Sequence, residues 1–281
     1  MNRPLCLLLL LAVSGCGAPQ DAASVGEPTM ATPDTAAAPP AQRKQSGPPT
    51  ARASATDIRE AAADNASGKN RNHNKEVMAQ GQQTVGHVHT LETLGASAER
   101  NDQGEVVFLL LPLSSTITDE NLAHLQELPK LQVLVLGNSR ITDAGLVHLK
   151  GLLNLRELLL GDTQITDAGL VHLAGLTKLK ILELNNTQIT GAGLAALGEL
   201  TQLEVLDVSY TQVGNSGLQH LVALRSLVRL GANYTRITDH GLPQLAALSS
   251  LTDLYLNDTQ ITKGAIAKLQ QALPNCSIVK D

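Results

Sequence analysis

The sequence predicts an α/β solenoid in which each 24-residue unit contributes one parallel β-strand and one short helix. Leucine and other aliphatic residues recur with this period from Val107 almost to the end of the chain. Within each unit they occupy positions 1, 4, 6, 11, 16, 19 and 22. No single helix or strand has that spacing, whereas a short strand followed by a loop and a helical turn does.

Seven such units follow one another without interruption. Their first residues are Val107, Leu131, Leu155, Leu179, Leu203, Leu227 and Leu251, and a terminal strand is predicted at Cys276 to Val279. Alternation along the strand that begins at Leu155 places Leu158 inward and Leu159 outward. One unit cannot fold alone, because seven buried aliphatic side chains at ~2 kcal/mol each do not offset ~1–2 kcal/mol of ordering cost per residue. Stacking between units supplies the rest.

The polar positions of the unit are equally regular. Position 12 is Thr in six units, where it is expected to cap the short helix. Asp143 and Asp167 follow in the first helical turn, where the helix dipole favours an anion. Position 9 is always Ser or Thr, as in Ser139 and Thr163, and its hydroxyl is expected to satisfy backbone amides at the inner bend.

These residues resemble the leucine-rich repeat family, with the pattern LxxLxLxx(T/S)xITDxGLxxLxxLxx. The unit Leu131 to Asn154 reads LQVLVLGNSRITDAGLVHLKGLLN, and the resemblance covers Val107 to about Ile278. The ITDAGL phrase looks most like repeats common in bacterial envelope and planctomycete-type proteins. Gly191 and Asn215 depart from the pattern, since most other units have Asp at that position. The resemblance implies a concave parallel sheet with helices on the convex side.

The first sixteen residues predict a secretory signal, with Arg3, an apolar run from Leu5 to Val13, and small residues before a cysteine. Val13-Ser14-Gly15-Cys16 resembles the lipobox of bacterial lipoproteins, which implies that Cys16 is lipidated and becomes the new N-terminus. The alternative is an ordinary signal peptide cut a few positions later, which would leave a secreted protein. Residue 17 is Gly and not the Asp that retains such lipoproteins at the inner membrane. The outer membrane is therefore the favoured location.

Two segments separate this signal from the repeats. Residues 17–84 predict a disordered linker, because Ala, Pro, Ser, Thr, Gln and Asn dominate and large aliphatic residues are scarce. The basic stretch from Lys69 to Lys75 offers contact with anionic headgroups as an alternative. Residues 85–106 predict an N-terminal cap, with a helix from Val88 to Leu94 that Gly95 ends and a hairpin turn at residues 101–104. Residues 107–281 are expected to form the repeat domain.

Composition and motifs favour a binding protein over an enzyme. The formal net charge is −5 and basic residues are scattered singly, so nucleic acid is not an expected partner. The chain has no GxSxG, P-loop, HExxH or CxxC motif, so neither a cofactor nor a metal site is predicted. Cys276 is expected to be a buried core thiol rather than a nucleophile.

A column of histidines is the strongest argument for a metal. His124, His148, His172 and His220 share position 18 of their units. One interpretation is a metal or pH-responsive site, since neighbouring units would bring imidazoles close together. The other, which we favour, is a tolerant exposed position of a duplicated unit.

The predicted concave face carries two candidate partner sites. The first is an apolar patch at outward strand positions, comprising Leu111, Val135, Leu159 and Ile181, extended by Phe108, Leu109, Leu113 and Val133. A contiguous exposed apolar patch marks an interaction site unless the cap or the linker covers it. The second candidate consists of Tyr210, Tyr234 and Tyr255, whose amphipathic rings are enriched at interfaces. Ordinary surface tolerance is the alternative for these tyrosines.

The predicted function is therefore that of an envelope-anchored protein that binds a protein or peptide through its concave face. Two alternatives remain at this point. One is a structural envelope protein whose linker tethers the solenoid to other cell-wall layers, and the other is a regulatory partner of an enzyme. A position at the bacterial cell envelope follows from the lipobox at Cys16.

Overall fold

A computed structural model describes residues 86–112 and 117–281 of the chain. In these residues the strands form one nine-stranded sheet in chain order, and only β1 and β2 pair antiparallel. The strands are β1 (Ser97–Arg100), β2 (Val106–Leu110), β3 (Val133–Val135), β4 (Glu157–Leu159), β5 (Ile181–Glu183), β6 (Val205–Asp207), β7 (Arg229–Gly231), β8 (Asp253–Tyr255) and β9 (Ser277–Val279). The predicted signal, Cys16, the linker and Leu113 lie outside the described residues.

A helical segment connects each parallel strand to the next. The α-helices are α1 (residues 86–93), α2 (Asp143–Leu146), α3 (Asp167–Leu170), α4 (Asn215–Leu218), α5 (Leu242–Leu245) and α6 (Lys263–Ala272). The 3-10 helices are Asp119–Glu127, Val147–Leu149, Gly193–Leu197 and Gln219–Leu221. The prediction of one parallel strand and one short helix per repeat is confirmed, with single α-helical turns and 3-10 turns sharing the helical positions.

Inward leucines of all units form one continuous hydrophobic core. Leu134, Leu158 and Leu182 are fully buried and lie in register on neighbouring strands. Cys276 is part of the same core, so its prediction as a buried thiol is confirmed. Burial raises the pKa of this thiol, with a further contribution from the charge of Asp253, which keeps the sulfur neutral.

The strand register corrects the predicted start of the first unit. β2 places Leu109 beside Leu134, so Leu109 takes position 4 and the first unit begins at Val106 instead of Val107. This unit is therefore 25 residues long, one more than the others. All six residues from Val106 to Leu111 are apolar, and such a run hides the alternation that would fix the register.

The one-residue shift changes which residues of β2 point inward. Leu111 moves from outward position 5 to inward position 6 and is only 1 % exposed, within the core. Its predicted role as a partner-binding residue is therefore wrong, and the outward assignment of Leu109 is wrong for the same reason. Leu110 lies on the outward side instead, Phe108 lies outward as predicted, and both are half-buried.

A ladder of polar side chains ties successive units together. The carboxylate of Asp143 accepts hydrogen bonds from the backbone N–H and the hydroxyl of Thr166 in the next unit, at 2.8 and 2.5 Å. The same hydroxyl accepts from the N–H of Ala168, so the predicted helix cap is confirmed. The equivalent pairs are Asp119 with Thr142, Asp167 with Thr190, Asn215 with Thr238 and Asp239 with Thr262.

The glycine of the ITDxGL phrase leaves room for this carboxylate. A Cβ atom at Gly145 would lie 2.5 Å from Oδ1 of Asp119 in the preceding unit, a distance that no real contact allows. The donation from Thr262 also lowers the pKa of Asp239, since hydrogen bonds favour its charged form. Three residues of the phrase thus serve one contact between units: Asp accepts, Thr of the next unit donates, and Gly provides the space.

One seam of the solenoid lacks the ladder. Gly191 stands where most other units have the accepting Asp, so no carboxylate is present. Gly214 stands where the next unit would have the donating Thr. The backbones approach closely here instead, because a Cβ atom at Gly191 would lie 2.7 Å from the backbone nitrogen of Gly217. Both halves of the contact are therefore missing at the same place.

The hydroxyls at position 9 act as donors to carbonyl groups. Ser139 donates to the carbonyl of Leu136 at 2.6 Å, and Thr163 donates to the carbonyl of Leu160 at the same distance. The expected acceptance from a backbone N–H occurs at Thr211, which accepts from Val213 at 3.4 Å, but donation to a carbonyl is the contact that the units share. A buried hydroxyl satisfies its own donor and a carbonyl through one such bond.

The N-terminal edge of the sheet is covered by a helix and a hairpin. Val88 and Leu91 of α1 are buried in the same core as the repeats. Gly95 ends this helix with a φ of 98°, a left-handed conformation that favours glycine. β1 then pairs with β2, so the first parallel strand has a neighbour on both sides.

Candidate binding surface

Two rows of side chains point away from the core, and we call them together the outer sheet face. Position 3 contributes Phe108, Val133, Glu157, Ile181, Val205, Arg229, Asp253 and Ser277. Position 5 contributes Leu110, Val135, Leu159, Glu183, Asp207, Gly231, Tyr255 and Val279. The surface is apolar over its first strands and charged over its later ones.

The predicted apolar candidates are less accessible than their outward positions suggested. Val135, Leu159 and Ile181 are 6 %, 7 % and 9 % exposed. Val135 lies directly beside Leu159, and at a strand spacing of ~4.8 Å such neighbours shield one another from water. The predicted exposed patch is therefore largely buried at these three positions. Val133 and Val205 are half-buried, and Val279 on the last strand is exposed.

Glu183 brings an unusual carboxyl group into the middle of this face. It lies between Leu159 and Asp207 on the neighbouring strands. Burial first, then the charges of Asp207 and Glu157, raise the pKa of Glu183 from 4.5 to about 7. This carboxyl is therefore neutral in mildly acidic solution and becomes charged near neutral pH.

Two polar atoms of the position 3 row have no hydrogen-bond partner within the described chain. They are Oε2 of Glu157 and Nε of Arg229, both buried. A buried polar atom without a partner costs about 1–3 kcal/mol of desolvation.

Residues at position 8 form a rim where each strand turns away, and their backbones are left-handed. The φ angles are 57° at Asn138, 59° at Asp162, 53° at Asn186, 58° at Tyr210, 52° at Tyr234 and 53° at Asp258. Asn and Asp tolerate this conformation, whereas a bulky aromatic residue there is a true outlier. Such backbone strain costs about 1–3 kcal/mol per residue and persists mostly where function requires it.

The two rim tyrosines are stacked on one another in an exposed position. Their ring centroids are 4.4 Å apart with an interplanar angle of 14°, and Tyr210 and Tyr234 are 55 % and 48 % exposed. A hydrogen bond to the Asp258 carboxylate raises the pKa of Tyr234 to about 12. Tyr255 lies apart from this pair by its position, half-buried on the outer sheet face.

The histidines of the predicted column differ in their contacts, and Nδ1 of His172 is buried without a hydrogen-bond partner among the described residues. Nδ1 of His124 is 2.8 Å from Nδ1 of His87 in α1, and Nδ1 of His148 is 2.8 Å from the amide of Gln126. Desolvation, followed by the charge of Lys150, lowers the pKa of His172. Residues 86–112 and 117–281 contain no group of three or more His, Cys, Asp or Glu side chains that could hold a metal ion.

None of the helices described by the structure is long and apolar enough to cross a membrane.

Family models identify the repeats. A model described as Leucine Rich repeats (2 copies) matches residues 153–196, and a second, described as Leucine Rich repeat, matches residues 200–222. Together with the parallel sheet and its regular helical turns, these matches show that the chain is built as a leucine-rich repeat solenoid. No curated protein sequence matches the chain significantly.

Several solved structures are similar to parts of this chain. An internalin C2 from Listeria monocytogenes is 28 % identical, with a TM-score of 0.51 over 63 % of this chain and 81 % of that protein. An internalin InlF from the same organism is 24 % identical, with a TM-score of 0.47 over 57 % of this chain and 50 % of that one. A leucine-rich repeat protein from Leptospira interrogans is 18 % identical, with a TM-score of 0.41 over 60 % of this chain and 51 % of its own.

Proposed function

We propose that the chain is an envelope-anchored binding protein that engages a protein or peptide across the outer sheet face. The observation that carries the proposal is the contrast between inward and outward strand positions. Positions 4 and 6 hold buried aliphatic side chains in every unit, whereas position 5 ranges from Leu159 through Glu183 and Gly231 to Tyr255. Because the fold requires no particular residue there, binding is the best reason for the apolar and charged groups present.

The mixture of side chains in the position 3 row supports the same proposal. Glu157 and Arg229 are half-buried there and bring one acidic and one basic side chain to the surface. Val133 and Val205 offer apolar contact on the same row. Polar and apolar side chains side by side on one surface are typical of protein interfaces.

Catalysis is a poorer explanation of these groups. A reactive cysteine needs a lowered thiol pKa, whereas burial raises that of Cys276, the one cysteine in the described residues. The perturbed carboxyl of Glu183 lies beside other acids and an aliphatic neighbour rather than beside a nucleophile. If the bound partner proves to be an enzyme, the protein would regulate it through the same binding surface.

Site-specific crosslinking tests the proposal directly. A photoreactive phenylalanine at position 133 or 205 of the full chain is expected to crosslink a discrete partner in cells. The same group at position 147 or 171, where Val147 and Val171 are exposed in the helical segments, is the matched control. Crosslinks of equal yield at all four positions, or only at the two controls, would contradict binding by the outer sheet face.

A matched pair of substitutions gives the energetic test. Val205→Lys places a charge beside Ile181 on the outer sheet face, and Val171→Lys makes the same change on the helical side. We expect Val205→Lys to weaken capture of the crosslinked partner at least tenfold, which corresponds to about 1.4 kcal/mol. Both variants should melt at similar temperatures, and equal capture by both would count against the proposal.

We further propose that lipidation of Cys16 holds the protein at the bacterial cell envelope, with the outer membrane preferred. The lipobox sequence and the small residue after it support this placement. Cys16→Ser should remove fatty-acid labelling and move the protein from the detergent phase to the aqueous phase. A variant that still partitions into detergent would exclude the lipid anchor, and a wild-type protein found free in the medium would favour secretion.

A further inference from the structure

The stacked tyrosines occupy positions whose backbone conformation disfavours an aromatic residue. Four of the six left-handed rim positions hold Asn or Asp, the residues that tolerate this backbone. Tyr210 and Tyr234 occupy the other two, on adjacent units, at a conformational cost. Both rings are also largely exposed, so burial in the core does not compensate for the strain. A role outside folding explains why both positions are aromatic.

We propose that the Tyr210–Tyr234 pair, together with Asp258, is a subsite for an arginine side chain of the bound protein or peptide. The inference rests on the proposed function and names the chemistry of the partner. A guanidinium group would lie flat on an exposed ring face and donate hydrogen bonds to the carboxylate of Asp258. Arginine stacks on aromatic faces and binds carboxylates through the same planar group.

The geometry of the pair suits a flat cation. The inner faces of the two rings cover each other at 4.4 Å, which leaves the outer faces as platforms. The backbone N–H groups of Tyr210 and Tyr234 donate to the carbonyls of Asn233 and Asn257 at 2.8 and 2.9 Å, so the main chain beneath the rings is fixed. Asp258 follows Tyr234 by one unit in the same rim row, and its carboxylate is among the groups that raise the pKa of the Tyr234 hydroxyl.

The charges around the pair favour a cationic ligand. Strand residues of the same and the following units include Asp207 and Asp253, and the cation of Lys180 is already paired with Glu204 at 2.5 Å. Arg229 and Arg236 oppose this charge, and Arg236 lies only two residues after Tyr234. Acids therefore outnumber free cations near the rim, and replacement of Arg236 with Gln should strengthen the binding of a cation.

The composition of the chain makes the subsite easy to observe. The protein has no Trp, and its three Tyr residues are Tyr210, Tyr234 and Tyr255. Intrinsic tyrosine fluorescence therefore reports mainly on the pair. The probe is a blocked pentapeptide, Gly-Gly-Arg-Gly-Gly, titrated into the full chain, with citrulline and lysine versions as controls. We expect a saturable change with arginine, and binding at least tenfold weaker with the neutral citrulline peptide of the same shape.

Substitution by the residue that the backbone prefers separates binding from folding. Tyr210→Asn and Tyr234→Asn should bind the arginine peptide at least tenfold more weakly by calorimetry. Their melting temperatures should stay unchanged or rise by about 2–4 °C per residue, because the strain is relieved. Asp258→Asn should also weaken arginine binding, while Val171→Asn on the helical side should leave it unchanged.

Several outcomes would overturn the subsite. Equal binding of the arginine and citrulline peptides would exclude a cation site, and undiminished binding to both asparagine variants would place the site elsewhere. A fluorescence change with a soluble chitooligosaccharide but not with the arginine peptide would show a glycan subsite instead.

The subsite and the proposed function can fail separately. If partner crosslinks form at position 205 but the arginine peptide does not bind, the outer sheet face binds a partner and the rim subsite is wrong. If the peptide binds the tyrosine pair while no crosslink forms at positions 133 or 205, the subsite is correct and the outer sheet face is not the interface. Val205→Lys should weaken partner capture without changing the affinity of the peptide.

Discussion

Asp143 shows what a single side chain contributes to this solenoid. Its carboxylate accepts two hydrogen bonds from Thr166, whose hydroxyl also caps the next helix. We expect Asp143→Ala to lower the free energy of unfolding by about 1–3 kcal/mol, since the N–H of Thr166 loses its acceptor. Asp143→Asn should retain most of the stability, because Asn215 makes the equivalent contacts naturally. Urea denaturation distinguishes the two, and equal losses would mean that charge, not geometry, matters.

Glu183 predicts a pH dependence of stability. The unfolded carboxyl ionises near pH 4.5 and the folded one near pH 7, so the folded state binds more protons between these values. Stability contributed by this group therefore falls as the pH rises from 4.5 to 7. Glu183→Gln should be more stable than wild type at pH 8 by roughly 1–3 kcal/mol and similar near pH 4. Thermal melts at both pH values would test this, and an identical pH dependence would contradict it.

At the level of single residues, the sequence indicates local contacts and misses those between units. Thr142 was recognisable as a cap because it precedes an apolar helical turn. Its second partner, Asp119, lies 23 residues away, and only stacking brings the two together. The rim conformation left a signal that was missed, since Asn138, Asp162 and Asn186 at position 8 are typical of left-handed turns.

Among the repeats, the seam between Gly191 and Gly214 behaves differently from the others. A change towards the repeat pattern, Gly191→Asp, should lower the free energy of unfolding by about 1–3 kcal/mol, because the new Cβ would meet the backbone of Gly217. Adding Gly214→Thr should not restore wild-type stability, since the backbone contact remains. A double variant more stable than wild type would show that the close backbone contact does not prevent the Asp–Thr hydrogen bonds from forming at this seam.

The same clash-based reasoning applies to a matched pair of glycines elsewhere. Gly145→Ala should be destabilising, because its Cβ would meet Asp119 in the preceding unit, while nothing lies within 4 Å of the corresponding point at Gly151. We expect Gly151→Ala to be neutral or slightly stabilising. Chemical denaturation of the two variants would reveal the difference, and equal effects would remove the role assigned to the ITDxGL glycine.

The elements also show where sequence periodicity reaches its limit. β3 to β8 were placed correctly because polar residues alternate with aliphatic ones at their ends. β2 was placed one residue late because the run from Val106 to Leu111 contains no polar residue. The register of such a strand is set by pairing with β3, which depends on the position of Leu109 beside Leu134.

For the whole molecule, the N-terminal helix controls the end of the stack. Leu91 of α1 is fully buried in the core of the repeats. Leu91→Ala should cost about 2–5 kcal/mol locally and increase amide hydrogen exchange mainly in residues 86–112 and the first repeats. Leu206→Ala, in the middle of the sheet, is the control and should affect both neighbouring units. Uniform exchange in both variants would indicate that the solenoid unfolds as one unit.

The general architecture followed from the sequence because seven units repeat one pattern. The candidate site followed only in part. Position along a strand indicated correctly that Val135, Leu159 and Ile181 point outward, but their low exposure depends on neighbouring side chains. The pKa of Glu183 likewise depends on charges from two other units, which no single repeat reveals.

The contact between Asp of one unit and Thr of the next also sets rules for changing the length of the protein. Deletion of residues 155–178 would bring Asp143 next to Thr190, and both halves of the contact would still meet. Deletion of residues 203–226 would instead set Gly191 before Thr238, which would lose its acceptor. Copies of the third unit can therefore be added or removed singly. The fourth and fifth units must be added or removed together.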